Sequence, residues 1–378
     1  MISGLTDEQR LLSESAERLL GGEKGARLRS RTLADPQRCP REVWQQLADL
    51  GWLGIGIDPD FGGSGGGALE TMLVMNALGR ALLPVPFLSS VVIGGQILSA
   101  LGNAQQRELL RLLTAGEHRV ALAVSEPAAR YDLNDVQTVA RPESNGFRLD
   151  GRKSVVLDGG GADSIMVLAR TAGGRMDTAG LSLFLLPNRL PGMQVVSFFT
   201  FDGRAAAQID FHNVHVDGSM LLGQRDDALP GLEGAVDRAI AALCAEAVGA
   251  MQGAYELTSD YLRTRKQFGR PIGSFQVMQH RLVDMYVMLE EATSLALAAT
   301  LSLQEQGIAR RRLISAAKVQ IGRAGKAIAQ DCVQMHGGIG MTDEYIASHY
   351  FKSLLAIDTL FGDADHHLGR FPPANTLT

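Results

Sequence analysis

Residues 261–276 read Tyr261-Leu262-Arg263-Thr264-Arg265-Lys266-Gln267-Phe268-Gly269-Arg270-Pro271-Ile272-Gly273-Ser274-Phe275-Gln276. Arg263, Arg265, Lys266 and Arg270 crowd four cations into eight residues around one aromatic ring, Phe268. Apolar residues at helical spacing lead into this stretch over 232–264 and resume over 274–306. Gly269 and Pro271 interrupt the pattern, because glycine weakens a helix and proline cannot continue one. Two more helical stretches, 309–335 and 342–370, make the last third a four-helix bundle by pattern. Between them stands a second distinctive run, Gln334-Met335-His336-Gly337-Gly338-Ile339-Gly340-Met341-Thr342-Asp343-Glu344-Tyr345. By composition alone, the two runs are a solvated basic helix end and a glycine turn between helices.

Upstream of the bundle, from about Val120, the pattern changes to short β-rich runs. Asn145-Gly146 between Val136–Ala140 and Phe147–Leu149 is a hairpin signal. Further strands are expected at Ile165–Ala169, Leu181–Leu186, Val195–Phe199 and Gln208–Val216, divided by Gly, Pro and Asp clusters as in an antiparallel barrel. The first part of the chain reads as helical. Thr6-Asp7-Glu8-Gln9 is a capping-box pattern, Val43, Leu47 and Leu50 repeat at helical spacing, and 68–82 is an apolar-rich helical stretch. The glycine-rich run 62–67 lacks the Gly-Lys-Ser/Thr ending of a phosphate loop and reads as a plain loop. The expected fold is therefore α+β: an N-terminal helical domain (1–119), a central antiparallel β barrel (120–229) and a C-terminal four-helix bundle (230–378).

Composition narrows the function classes. With 46% hydrophobic and 20% charged residues the chain is globular rather than disordered. A formal net charge of −5 with no basic stripe argues against a nucleic-acid partner. The longest uncharged run, 81–106, is broken by Pro84 and Pro86 and reads as a buried helix with a proline-rich lead-in, not a membrane span. Residues 1–7 show no basic region followed by an apolar run, so no secretory signal is expected. Cys39, Cys244 and Cys332 are odd in number and widely spaced. They offer no disulfide framework or zinc spacing and fit a reducing cytoplasm, which is the expected location. His366 and His367 with Asp363 and Asp365 superficially suggest a metal site, but adjacent residues on a helix point in different directions, so none is expected there.

The runs 261–276 and 334–345 resemble the two signatures of the acyl-CoA dehydrogenase family. Ala123-Val124-Ser125-Glu126-Pro127 resembles the Thr/Ser-Glu-Pro at the start of that family's β domain, and the order of domains is the same. Within the family, 241–249 and 360–367 resemble small subunits of two-component members of the pimeloyl-CoA dehydrogenase type. The resemblance implies FAD as cofactor. It places Arg265 and Phe268 on the FAD, the first forking onto phosphate and the second covering an aromatic ring. It assigns Gln334, Gly337 and Gly338 to the adenine half of a neighbouring subunit's FAD, and Ser125 to the flavin pyrimidine edge.

The departures from the family pattern are as informative. The family's Gly-x-Gly-Ser-Asp is here Ala128-Ala129-Arg130-Tyr131-Asp132, so Tyr131 replaces a serine that contacts the thioester, and Arg130 is available to a phosphate or to solvent. Val155 and Leu157 stand where the family has a Trp and a Thr beside the flavin. Most members place the catalytic glutamate before a glycine near the C-terminus, where this chain has Phe361-Gly362. Phenylalanine cannot accept a proton, so the base has moved or the chain has none.

Glu246 is the only charged residue among the thirteen of 239–251, and Ala242, Leu243, Gly249 and Ala250 share its helix face. A proton-abstracting carboxylate works best where poor solvation makes it a stronger base, and this setting does so unless a cation pairs with it. Glu246 is the first candidate base; a buried structural carboxylate is the competing reading. Asp237 and Asp363 are the second and third candidates, each otherwise a solvated helix-end acid. The small residues Ala239, Ala242 and Ala250 on this helix permit a wide or branched acyl chain. The resemblance implies oxidation of an acyl-CoA to the trans-2-enoyl-CoA. Electrons pass to an electron-transfer flavoprotein, in a homotetramer or in a heterotetramer with a larger homologous subunit. A noncatalytic partner subunit, or a flavin oxidase or monooxygenase on the same scaffold, are the rival readings.

Overall fold

The computed structural model describes residues 4–305 and 307–371. Residues 1–3, part of the stretch read for a signal, lie outside them, as does residue 306 at the end of the second bundle stretch. The N-terminal helices are α1 (Asp7–Leu20), α2 (Gly22–Ala34), α3 (Arg41–Asp49), α4 (Ala68–Ala81), α5 (Gln96–Leu101), α6 (Ala104–Arg107) and α7 (Leu109–Thr114). The strands are β1 (Val120–Ala123), β2 (Val139–Glu143), β3 (Gly146–Leu157), β4 (Ser164–Arg170), β5 (Leu181–Pro187), β6 (Met193–Phe199), β7 (Ala205–Asp217) and β8 (Leu221–Leu222). Then come α8 (Leu229–Thr264), a small hairpin of β9 (Lys266–Gln267) and β10 (Arg270–Pro271), α9 (Gln276–Ser302), α10 (Gly307–His336), α11 (Ile346–Thr359) and α12 (Ala364–Gly369). By compactness the described chain forms two units. Among the described residues, one comprises 4–29, 68–83, 240–305 and 307–371; the other comprises 30–67 and 84–239.

In the first unit, α10 buries Ile314, Ala317, Ile321, Ala324 and Ile328, a stripe at helical spacing that makes one face of the bundle core. The capping box is formed, with Thr6 Oγ1 accepting from Gln9 N and Gln9 Oε1 accepting from Thr6 N. Helices α4 and α8 approach until main chain meets main chain. A Cβ at Gly79 would overlap Glu246 O, and one at Gly249 would overlap Asn76 O. The expected helix over 342–370 is interrupted. It ends at Thr359, turns through Phe361 (φ +56) and Gly362 (φ +112), and restarts at α12 with Asp363 as N-cap. Two successive positive φ values cannot continue a right-handed helix.

In the second unit the strands follow the order β6-β7-β3-β2-β4-β5-β8, with β1 beside β4. Phe147, Leu149, Ile165, Val167, Phe184, Leu186, Ile209 and Phe211 fill the core, with Phe147 and Phe184 edge to face at 5.0 Å. The expected antiparallel barrel is here a mostly antiparallel mixed sheet, because β1 and β2 both meet β4 in parallel. Neither is joined to β4 by a hairpin, and only a hairpin forces neighbours to run oppositely. The β2/β4 contact is the single pair Val139/Arg170, beyond which the two strands part. The buried run 81–106 begins as a nine-residue π-helix, Phe87–Gly95, a winding that no sequence pattern had indicated.

Candidate active site

Ser125 follows the end of β1, and its carbonyl accepts from Ser154 N at 2.9 Å. That bond is made possible by a bulge in β3. Lys153 pairs with Ile209 and Val156 with Ala207, so Ser154 and Val155 together oppose one residue of β7. Val155 adopts φ +51, unusual for a β-branched side chain, and points its apolar group to solvent. No hydrogen bond to Ser125 Oγ is found among the described residues, which leaves the hydroxyl open to a ligand. Arg130 is exposed at φ +47 and Tyr131 is half-buried.

Behind this segment lies a buried ion pair. Lys153 Nζ donates to Glu126 Oε1 at 2.6 Å and to Val124 O at 3.3 Å, with both side chains out of solvent. Glu126 also accepts from Gln137 N (2.7 Å) and Thr138 N (3.0 Å). Burial lowers the Lys153 ammonium to about 8, with Glu126 opposing the shift. The Glu126 carboxyl lies below its ordinary value; burial raises it, but Lys153 and the donors together outweigh that effect. Sequence reading passed over the pair, although Lys153 falls on the inward alternation of Phe147 and Leu149.

The gap between β2 and β4 opens a cleft of about 520 Å³ lined by residues that include Gln137, Arg141, Arg170 and Arg175. Arg170 is buried and donates to the carbonyls of Asn134, Arg175, Asp177 and Ala179. No carboxylate ion-pairs with it among the described residues, whereas Arg141 is held by Asp150 and Arg175 by both oxygens of Asp135.

In the helical unit, 265–271 is a hairpin rather than a basic helix end. Gln267 pairs with Arg270 across Phe268 (φ +53) and Gly269 (φ +78), the two positive φ values of a tight hairpin turn. Phe268 at its tip is 89% exposed and touches only the edge of Phe275, at 6.1 Å between centroids. Arg265 is exposed beside it. The second motif lies close by, because Tyr261 stacks on His336 at 4.4 Å and draws the ends of α8 and α10 together. Gln334, Gly337 and Gly338 are all exposed there. Gly337 has φ +68, which favours glycine. Gly338 needs no special backbone, and a Cβ on it would meet nothing in this chain.

The three acid candidates separate clearly. Glu246 is 6% exposed on α8, and Asp237 is 3% exposed, so the expectation of a solvated Asp237 is corrected: α8 is covered there. Both make interactions within the chain. Asp363 is the N-cap of α12, its Oδ1 accepting from His366 N at 2.8 Å. His367 is fully occupied. Its Nε2–H donates to Phe361 O, and its Nδ1 accepts from Ser315 Oγ, each at 3.1 Å. Lys318, also buried, donates to Ile357 O (2.5 Å) and Asp358 O (2.9 Å) and so caps the C-terminal end of α11.

On the helical unit, an exposed aromatic at a hairpin tip and a glycine whose missing side chain nothing in this chain requires fit a flat, phosphate-bearing dinucleotide such as FAD; on the other unit the Ser125 hydroxyl is left open. Val155 and Leu157, where the resemblance has a Trp and a Thr, carry main-chain groups and apolar side chains only. The chain matches the acyl-CoA dehydrogenase N-terminal domain over residues 6–117, the middle domain over 121–214 and the C-terminal domain over 234–370. It is 28% identical over 342 residues to acyl-CoA dehydrogenase FadE27 of Mycobacterium tuberculosis, covering 88% of each chain. It is 27% identical over 358 residues to mitochondrial isovaleryl-CoA dehydrogenase of Pongo abelii, covering 93% of this chain and 84% of that one. Among solved structures it resembles a Tcur3481–Tcur3483 steroid ACAD variant, at 28% identity and TM-score 0.85 over 96% of both chains. It also resembles the ChsE4–ChsE5 complex of Mycobacterium tuberculosis, at 25% identity and TM-score 0.87 over all of both chains. With three consecutive domain matches, in order, the chain belongs to the acyl-CoA dehydrogenase family of FAD-dependent oxidoreductases acting on CH–CH bonds.

Proposed function

We propose that this chain oxidises an acyl-CoA thioester to the trans-2-enoyl-CoA and passes the electrons to an electron-transfer flavoprotein. The observation that carries this reading is the exposed set Arg265, Phe268, Gln334, Gly337 and Gly338 on the helical unit, in a chain matched by all three family domains. FAD, when bound, supplies the acceptor for the hydride that leaves the substrate β-carbon. Glu246 takes the α-proton onto its carboxylate, and its burial keeps water from competing for that proton. Asp237, equally buried, is the alternative base. Asp363 is less suited, since its carboxylate already caps α12. The cleft at 136–175, lined by Arg141 and Arg175 as well as the buried Arg170, suits the phosphates of the CoA moiety. Phe268, Ile339 and Met341, all apolar and exposed, favour an assembly in which a neighbouring subunit's FAD covers them.

A second reading has a specific observation behind it. Phe361 occupies the place of the family's usual glutamate, and two similar structures bear the names of two-chain assemblies. On that reading the chain is one subunit of a heterotetramer and its larger homologue supplies the base. Anaerobic titration with a panel of CoA esters, following loss of the flavin absorbance, tests both. The chain alone is expected to bleach with its cognate ester, and Glu246→Gln to slow bleaching by about 10²–10⁴-fold with the resting flavin spectrum unchanged. Bleaching only with the larger subunit present, at a rate indifferent to Glu246→Gln and Asp237→Asn, selects the second reading. No bleaching in either state rejects the function.

A further inference from the structure

We propose that Lys153 and Glu126 form a positioning pair for the flavin site, holding the Ser125 segment against the Ser154–Val155 bulge without touching the cofactor. The inference rests on the reading of Ser125 as a flavin contact and adds to it the pair that fixes where Ser125 lies.

Three chain segments converge on these two side chains. Lys153 belongs to β3 and reaches Val124 O and Glu126 Oε1 just beyond β1. Glu126 in turn takes the amides of Gln137 and Thr138, which lead into β2. The end of β1, the start of β2 and the middle of β3 are thereby tied at one point. That point lies one residue from each feature that faces a ligand. Ser125 adjoins Glu126, and Ser154, whose N–H donates to Ser125 O, adjoins Lys153. Val155 holds a left-handed backbone conformation that a β-branched residue keeps only when its surroundings impose it.

Packing alone gives no reason for an ammonium and a carboxylate here. Taking two charges out of water costs as much as their attraction returns unless geometry and further hydrogen bonds are good, and an apolar pair of the same size would usually fill the space as well. A charged pair differs from an apolar one in direction. Lys153 points its protons at one carbonyl and one carboxylate, and Glu126 presents its oxygens to two specific amides. The arrangement fixes the register of Val124–Glu126 against β3, which apolar contact would leave free to slide.

The test compares Lys153→Met, Glu126→Gln and the double variant Lys153→Met/Glu126→Gln with wild type and Ser125→Ala, in the assembly as purified. The readouts are FAD dissociation constant, flavin absorption spectrum, flavin midpoint potential and melting temperature of the FAD-free protein. Single variants strand a buried charge and are expected to melt lower. The double variant leaves no unpaired charge and is expected to recover most of the wild-type melting temperature, yet to bind FAD at least tenfold more weakly, with a shifted flavin spectrum and potential. Wild-type affinity, spectrum and potential in the double variant overturn the inference and leave the pair a purely structural one. Failure of the underlying reading looks different: Ser125→Ala then matches wild type in spectrum and affinity, whatever the Lys153 variants do.

Discussion

His367 has no hydrogen-bonding capacity to spare for a proton. In the neutral ring Nε2–H donates to Phe361 O and Nδ1 accepts from Ser315 Oγ; protonation would turn Nδ1 into a donor inside the bundle. Burial, opposed by the bond to Phe361 and assisted by Lys318, Arg370 and His366, lowers its pKa to about 3. The unfolded chain binds this proton near the ordinary histidine value, so between about pH 6.5 and about 3 the unfolded state holds one proton more. Stability is therefore expected to fall as pH drops through that window, with this group contributing up to about 1.4 kcal/mol per pH unit. Burial likewise lowers the Lys318 pKa, opposed by Cys244, Asp358 and Asp363. His367→Gln, which keeps a donor and an acceptor, should flatten the curve in denaturant titrations at stepped pH; an unchanged slope would assign the acid sensitivity elsewhere. At this scale the sequence displayed the residue types and hid their partners. His366 and His367 looked like a metal pair, whereas one is locked between a carbonyl and a serine 52 positions away.

Single elements show the same division. Helix α8 was read to within a few residues from apolar spacing, yet two of its glycines, alike on paper, have opposite meanings. A Cβ at Gly234 would meet nothing, so Gly234→Ala is expected to stabilise by up to about 1 kcal/mol through helix propensity. At Gly249 the same methyl would overlap Asn76 O on α4 and force the helices apart, so Gly249→Ala should destabilise by about 1–3 kcal/mol despite the propensity gain. Thermal or urea unfolding of the two variants side by side should give shifts of opposite sign; equal shifts would mean that α4 and α8 are not in main-chain contact. The interruption of the last helix belongs to this scale too. Phe361 and Gly362 adopt positive φ, and a side chain at 362 would come within 2.6 Å of His366 and 2.7 Å of His367. Helical periodicity ran through this stretch because Leu354, Ile357 and Leu368 keep apolar spacing in the sequence, although Leu368, past the reversal, is exposed.

At the scale of the whole molecule, the side chain proposed to meet the cofactor contributes little to the folded chain by itself. Phe268 is almost wholly exposed, so Phe268→Ala should leave the melting temperature of the FAD-free protein nearly unchanged, within about 0.5 kcal/mol of stability. The rise on adding FAD, worth about 2.7 kcal/mol at a hundredfold excess over the dissociation constant in a protein that binds it only when folded, should shrink. A Phe268→Ala protein that gains as much from FAD as wild type would remove the ring from the cofactor site. The amino-acid sequence by itself determined where most helices and strands lie and the order of the three regions. Periods of 3.6 and 2 record which face of each element is buried, and that information is local. It also carried the two long motifs that mark the family. Only the tertiary structure decided that β1 runs parallel to β4, that Phe268 stands at a hairpin tip, that Asp237 is covered, and that Lys153 closes on Glu126 from 27 positions away. Apart from the hairpin, whose Gln267–Arg270 pairing is local, each depends on a partner distant along the chain, and no local period encodes the identity of such a partner.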